Sequence, residues 1–292
     1  MTTKIGFIGQ GWIGKHYADD FENRLYEVVR YALEEPYCKN KEQIQDCEIV
    51  FVAVPTPTHA ETGFDMSAVQ SALATTAPGT TVVIKSTLLP GTTTRLQEEF
   101  SDRYVMHSPE FLREATAAHD ASKPDRNIIG ISLDHDDHRQ RAKTVLRVLP
   151  EAPFNVIKPS LEAELVKYAG NAFLYTKVVF MNLLYDLVKE TGADWELIKD
   201  SLVADPRIGS SHTSPVHVSG HDQNKEQSVR GAGGHCFIKD FEALRDYYER
   251  NVSDPTGLAT LTAMQAYNNK LLIDSNKDLD LLRSVHGESL FK

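Results

Sequence analysis

Lys4-Ile5-Gly6-Phe7-Ile8-Gly9-Gln10-Gly11-Trp12-Ile13-Gly14 is the stretch whose reading decides the fold. A short apolar run runs straight into glycines at positions 9, 11 and 14, the pattern GxGxxG. After a strand, the first glycine permits a tight turn and the second lets a pyrophosphate approach the backbone. The third lets the following helix pack closely on the strand. The start of that helix turns N–H groups and the positive end of its dipole toward phosphates. The pattern therefore predicts a dinucleotide-binding turn built by Gly9, Gly11, Trp12, Ile13 and Gly14, with a vestigial turn as the alternative. In such a turn an acidic residue about 20 residues further on holds the ribose hydroxyls. Counting from Gly14 reaches Glu34, with Glu35 beside it. Either one holds the ribose and selects NAD over NADP, or the two form a solvated surface pair.

Working outward, strand-like runs recur at 26–33, 48–54, 80–84, 104–106 and 127–131. The run at 48–54, EIVFVAV, is continuously apolar, as buried parallel strands are. Helix-like segments fall between the runs at 66–76, 93–100 and 138–148. This alternation predicts an α/β fold, an N-terminal Rossmann domain with a doubly wound parallel sheet over residues 1–158. The pattern then changes. Ser160–Thr191 contains no proline and only Gly170 as a break. Leu161, Leu165, Ala169, Ala172, Thr176, Phe180, Leu183 and Leu187 recur at spacings of three and four, one face of a long helix. Ser160 reads as its N-cap and Gly192 as its stop. Further helices are expected at Trp195–Val203, 241–250 and 258–274, around a loop-rich interval at 205–234. Residues 159–292 thus form a long central helix and an all-helical domain.

The chain has 292 residues, enough for two domains, with 41% apolar and 25% charged residues, so it is neither disordered nor collagen-like. Its longest apolar stretch falls far short of the ~20 residues of a membrane helix, and the N-terminus lacks a signal-peptide layout. Thirty-one basic against 41 acidic residues give a net charge of −10. Such a surface repels phosphate backbones and anionic lipid, so neither nucleic acid nor membrane is expected as a partner. A small anionic ligand in a local basic pocket remains compatible. Cys38, Cys47 and Cys236 show no CxxC spacing, which argues against a disulfide framework or structural zinc and fits a reducing cytoplasm.

Three strand ends carry polar groups: Thr56 in Val54-Pro55-Thr56-Pro57, Thr87 in Lys85-Ser86-Thr87, and Glu110 and Glu114 after Pro109. In an open α/β sheet, ligands sit outside the carboxyl ends of the strands, so these converge on one crevice. Lys167 and Asn171 are spaced i, i+4 and share a helix face, roughly opposite the Leu165, Ala169, Ala172 stripe; on spacing alone this reads first as a solvated Lys/Asn face, with a functional face as the alternative. Gly231-Ala232-Gly233-Gly234-His235-Cys236-Phe237-Ile238-Lys239-Asp240 sets a cysteine after a glycine run, with Lys239 and Asp240 close by. A thiol near cations becomes a nucleophile; an inert buried cysteine is the alternative. His212, His217, His221 and His235 near Cys236 fit no familiar zinc spacing and read as loop histidines, so no metal is expected.

Taken together, GQGWIG, FVAVPTPT, VVIKSTLLPGTT, SPEFLREAT, KPDRNIIG, EAELVKYAGNAFLYTK, DPRIG and GGHCFIKD resemble, in order, the nucleotide-sugar 6-dehydrogenase family. UDP-glucose and GDP-mannose dehydrogenases are members. The resemblance implies two successive NAD-dependent oxidations of a sugar primary alcohol to a carboxylate. It implies Cys236 as the nucleophile, passing through a thiohemiacetal and a thioester. Lys167, Asn171 and Asp240 match groups that stabilise the oxyanion and position water, and Glu110 matches the base for thioester hydrolysis. Thr87 and Glu114 match residues beside the nicotinamide, and Thr56 and Lys239 match cofactor contacts. A homodimer formed through the long helix is also implied, with a sugar or nucleotide sugar as substrate. The chain departs from the family in three places. The family's ribose acid aligns with Ala32, and the connection between Leu33 and Cys47 is short. The loop from Pro215 to Arg230 is long. The chain also stops near Lys292, where family members continue into a second Rossmann-like domain. A two-electron dehydrogenase of the β-hydroxyacid type, which also uses a Lys-x-x-x-Asn helix, and a non-catalytic NAD-binding module completed by another chain are the competing readings.

Overall fold

The computed structural model describes residues 3–59, 62–218 and 228–291. The chain divides into two compact units, Met1–Pro57 with Phe64–Lys167, and Thr58–Gly63 with Tyr168–Lys292.

The first unit is built on a seven-stranded sheet. In chain order its strands are β1 (Lys4–Ile8), β2 (Glu27–Tyr31), β3 (Ile49–Val52), β4 (Thr81–Ile84), β5 (Tyr104–His107), β6 (Arg126–Ile131) and β7 (Phe154–Pro159). In space they run β2-β1-β3-β4-β5-β6-β7. Helices α1 (Trp12–Asn23), α2 (Ser67–Ala74), α3 (Thr92–Glu99), α4 (Ala117–Ser122) and α5 (Asp136–Val148) cover the sheet. Both faces are therefore buried. Phe51 points to one side, stacked on Phe7 at 5.0 Å with Phe21 at 5.3 Å. Its neighbours Val50 and Val52 point to the other, among Val69, Leu73, Val82, Ile84 and Leu96. Two covered faces are why the central strands read as continuous apolar runs.

The first five strands are parallel, from β2 across to β5. The sheet is not parallel throughout, however. β6 runs antiparallel to β5, with Met106 opposite Ile131 and His107 opposite Gly130, and β7 is parallel to β6. A parallel return needs a crossover long enough to traverse the sheet. The α-helix in this connection, α4, has six residues, about 9 Å at 1.5 Å per residue. The segment after β5 instead stays at the carboxyl edge, and Glu110 stays with it. β7 has no apolar run to mark it, because it is an edge strand with its ends exposed.

α6 (Ser160–Thr191) coincides with the helix read from periodicity, and Gly192 closes it at φ +71°. Its first turn lies on β6 at Gly130, where a Cβ would come within 2.7 Å of Ala163 Cβ. In the second unit, α6 continues beside α7 (Trp195–Val203), α8 (Gly234–Asn251), α9 (Pro255–Asp274) and α10 (Leu279–His286). Tyr175 stacks on Phe241 at 3.9 Å in a core with Val178, Val179 and Ala232. α8 begins seven residues earlier than the expected start at 241, so the cysteine and its charged neighbours sit on a helix. Of the apolar stripe read on α6, Leu161, Leu165, Phe180, Leu183 and Leu187 stay exposed, Phe180 at 57% and Leu187 at 60%, whereas Ala172 is buried in the Tyr175–Phe241 core. Among the described residues, no helix is long and apolar enough to cross a membrane.

Candidate active site

The glycine turn fits a dinucleotide. Gly9 stands at φ +90°, and a Cβ there would lie 2.4 Å from the Ala53 carbonyl oxygen. A Cβ on Gly14 would lie 1.9 Å from the Gly9 carbonyl oxygen. Both positions are closed to any side chain. Around Gly11, by contrast, nothing lies within 4 Å of a built Cβ. Gly11 is also the N-cap of α1, with no side chain bonded to the first turn. An open approach and uncapped N–H groups are what a pyrophosphate requires. Trp12 follows, 41% exposed, and Ile13 is half-buried.

Beyond β2, Glu34 and Glu35 are exposed. Arg30 on β2 is committed elsewhere: its guanidinium pairs with Asp19 and Glu22, each at 2.7 Å, and donates to Gln10 Oε1. The ends of β3 and β4 are stapled together. Buried Thr56 donates through Oγ1 to the Thr87 carbonyl at 2.9 Å, and Ser86 Oγ donates to the Val54 carbonyl at 2.7 Å. The stapling holds Thr87 at the carboxyl edge of the sheet.

After β5, Glu110 is buried. Its Oε2 accepts from the Leu112 N–H and its Oε1 from Lys167 Nζ, both at 2.8 Å. Lys167 Nζ also donates to the Glu110 carbonyl at 2.8 Å. Lys167 is thus not on a solvated face but 5% exposed. Glu114 begins a single helical turn, and its side chain lies outside the described residues.

Glu164, one turn before Lys167, escaped the sequence reading. Fully buried, it accepts from the Gly91 N–H at 2.6 Å and the Thr93 N–H at 2.7 Å, capping α3 from another helix. Burial raises its pKa while these donors lower it. The loop that starts with Thr87 is thereby tied to the turn of α6 that carries Lys167.

In the second unit the glycine run 231–234 leads into α8. Gly231 and Gly234 have φ of +93° and +80°. The backbone of the run is held by side chains distant in sequence. Asn268 bonds both the N–H and the carbonyl of Ala232, Asp278 accepts from the Gly234 N–H, and Lys277 donates to the Gly231 carbonyl. Asn268, Lys277 and Asp278 carry no local motif that would mark them. Cys236 stands exposed on the first turn of α8 and forms no disulfide, so it is not a buried inert thiol. One turn later Asp240 is 2% exposed. It accepts from Asn171 Nδ2 at 2.6 Å and from Lys239 Nζ. Lys239 is therefore engaged within the helix.

His212, His217 and His235 are not gathered into a metal site. Among the described residues, no group of three or more His, Cys, Asp or Glu is arranged to hold a metal ion. His221 and most of the long loop, residues 219–227, lie outside the described residues.

Residues 20–149 match the NAD binding domain of the UDP-glucose/GDP-mannose dehydrogenase family, and residues 161–270 match its central domain. UDP-glucose 6-dehydrogenase of Streptococcus pneumoniae is 32% identical over 281 residues, covering 83% of this chain and 68% of that protein. The enzyme of the same name from Rickettsia bellii is 29% identical, covering 90% and 60%. A solved UDP-glucose dehydrogenase from the archaeon Pyrobaculum islandicum superposes with a TM-score of 0.75 at 25% identity, covering 92% of this chain and 69% of that one. The chain spans about half the length of several curated relatives it matches.

Proposed function

Because the chain belongs to the UDP-glucose/GDP-mannose dehydrogenase family, we propose that it oxidises the primary alcohol of a sugar or nucleotide sugar to a carboxylate. The Gly9–Gly14 turn would hold the NAD, which when bound supplies the hydride acceptor, one molecule for each of two oxidations. The first converts the alcohol to an aldehyde. The Cys236 thiolate adds to the aldehyde carbon, and the resulting thiohemiacetal loses the second hydride to leave a thioester. Water, deprotonated by Glu110, displaces the thiolate and releases the carboxylate. Lys167 and Asn171, one turn apart on α6, offer donors to the oxygen on which negative charge develops. Asp240 holds the Asn171 amide in orientation. Thr87 and Glu114 lie beside the nicotinamide in this reading, Thr56 and Lys239 support the cofactor, and Glu34 holds the ribose and selects NAD.

The observation that carries this reading is the Asn171–Asp240 hydrogen bond at 2.6 Å, with exposed Cys236 one turn before Asp240 on α8. A buried, doubly bonded carboxylate holds the Asn171 amide one helical turn along α8 from a thiol in that helix's first turn. The exposed stripe of α6 supports a homodimer, and a thiol chemistry of this kind belongs in a reducing cytoplasm.

Counting NADH per substrate across a panel of sugars and sugar nucleotides tests the proposal. Two NADH per substrate are expected from the wild type, and Cys236→Ser should stop at the aldehyde or lose activity. One NADH, with Cys236→Ser unaffected, would establish a two-electron dehydrogenase instead. No NADH from any sugar, with NAD still bound, would leave a binding module.

A further inference from the structure

α10 lies along the helix that carries Cys236. It follows a turn in which Asn276 and Asp278 both stand at φ +52°, the left-handed region that Asn and Asp enter most readily among residues with a side chain. From that turn Asp278 Oδ2 accepts from the N–H of Gly234, the first residue of α8, at 2.8 Å. Further along, Ile238 and Leu282 share a buried core with Leu272 and Val285. Further still, His286 Nδ1 lies 3.5 Å from Glu242 Oε2. Residues 234, 238 and 242 thus face residues 278, 282 and 286, one helical turn at a time, and the two helices run side by side in the same direction.

The start of α8 is built around the contact with Asp278. Gly233 stands at φ −117°, which any residue adopts, so the backbone does not require glycine there. Space does: a Cβ on Gly233 would lie 2.0 Å from Asp278 Oδ2 and 2.7 Å from Lys277 Cε. Lys277 holds the other end of the run, donating to the Gly231 carbonyl at 2.9 Å. The first N–H groups of a helix have no partner within it, and Gly233 as N-cap has no side chain to offer them. Asp278 supplies from another helix the oxygen that a capping side chain would, and its charge suits the positive end of the helix dipole. Residues 277–286 lie beyond the stretch 161–270 that matches the family's central domain, so this support does not belong to that match.

We infer that Asp278 is a positioning residue for Cys236: by holding the Gly234 N–H it fixes where α8 begins, and hence where the thiol on that helix's first turn stands. The task given to the thiol rests on the function proposed above; the clamp on the helix start does not. Cys236 is two residues past Gly234, in the turn whose N–H groups the helix's own ladder of hydrogen bonds does not reach. Its place therefore depends on what holds the residues before it. Attack on a carbon needs the sulfur near contact distance, and a misplacement of about 1 Å can cost on the order of a hundredfold in rate.

Amide hydrogen exchange of the full chain tests the clamp without turnover. In Asp278→Ala the Gly234 amide and those that follow it in the first turn should exchange about tenfold faster, the scale of one lost hydrogen bond, while the middle of α8 keeps its wild-type rates. Asp278→Asn retains an acceptor oxygen and should hold the first turn near wild type. Gly233→Ala, whose Cβ takes the carboxylate's place, should give the same signature from the other side of the contact. Unchanged exchange at the start of α8 in Asp278→Ala and Gly233→Ala overturns the inference, as does a loosening spread evenly over the whole helix. Where NADH is formed, Asp278→Ala should lower kcat by about tenfold and leave KM within about twofold, and Asp278→Asn should restore most of the rate. Leu282→Ala weakens the same helix pair away from Gly234; it should lower the melting temperature and leave kcat near wild type. An Asp278→Ala enzyme with unchanged kcat, or a Leu282→Ala enzyme that loses as much, shows that position 278 only supports the fold and overturns the inference. A protein that oxidises no sugar sinks the functional proposal and leaves the exchange measurement to decide the clamp.

Discussion

Lys167 grips Glu110 twice, donating to its carboxylate and to its own backbone carbonyl at 2.8 Å each. One ammonium therefore neutralises the carboxylate and also sets the turn that presents it after β5. Both side chains are 6% exposed, so neither charge has water to fall back on.

Lys167→Met should destabilise the protein by about 3–5 kcal/mol, because it leaves Glu110 charged, buried and short of a partner. Adding Glu110→Gln should recover part of that loss. Denaturant titration of the two single variants and the double variant closes the cycle; a double variant as unstable as the sum of the singles would show the pair to be uncoupled.

The glycine turn separates folding from binding. Gly14→Ala puts a Cβ within 1.9 Å of the Gly9 carbonyl oxygen and should lower the melting temperature. Gly11→Ala meets nothing within 4 Å and should change stability by no more than about 0.5 kcal/mol. It should nevertheless weaken NAD binding by at least about tenfold, since the methyl group occupies the approach of the pyrophosphate. Calorimetric titration with NAD and NADP reads both this effect and the preference for NAD.

The homodimer proposed above would form through the uncovered side of α6. Phe180 and Leu187 are 57% and 60% exposed and carry no part of the protomer core. Phe180→Glu with Leu187→Glu should convert a dimer into a folded monomer at micromolar concentration by light scattering. A wild type that is already monomeric there would remove the basis for this prediction.

Stability should depend on pH in two windows. His107 is held neutral by burial with a pKa of about 3, against 6.5 when exposed. Its contribution is complete above 6.5 and is lost as pH falls toward 3, by about 1.4 kcal/mol per pH unit. Lys85, at about 7 against 10.5, acts in the alkaline window. The unfolded chain holds that proton up to 10.5, so stability should climb between about 7 and 10.5 and stay flat for this group below. His107→Phe should flatten the acid slope and Lys85→Met the alkaline one, read from chemical denaturation across both ranges.

Much of this was legible along the chain. Glycine spacing after β1, the three-and-four periodicity of α6 and the continuous apolar run of β3 are local consequences of backbone sterics and of burial on one face or two. They determine a Rossmann unit followed by a long helix, and Gly192 ends that helix where only a positive φ will do. Cys236, Lys167, Asn171, Asp240 and Glu110 were legible as candidates mainly through motifs that resemble the family; by residue type and spacing alone Cys236 equally suited an inert thiol and Lys167 and Asn171 a solvated face. What no local pattern carries is which partner each charge meets. Glu110 and Lys167 are 57 residues apart, Asn171 and Asp240 are 69 apart, and Glu164 caps a helix 71 residues away. The antiparallel turn of β6 was likewise hidden, because it follows from α4 being too short to cross the sheet. Burial of Lys85 and His107 was decided only by tertiary packing: the same residue types in an exposed loop would titrate at their ordinary pH, and it is the loss of water around them that makes their charge conditional.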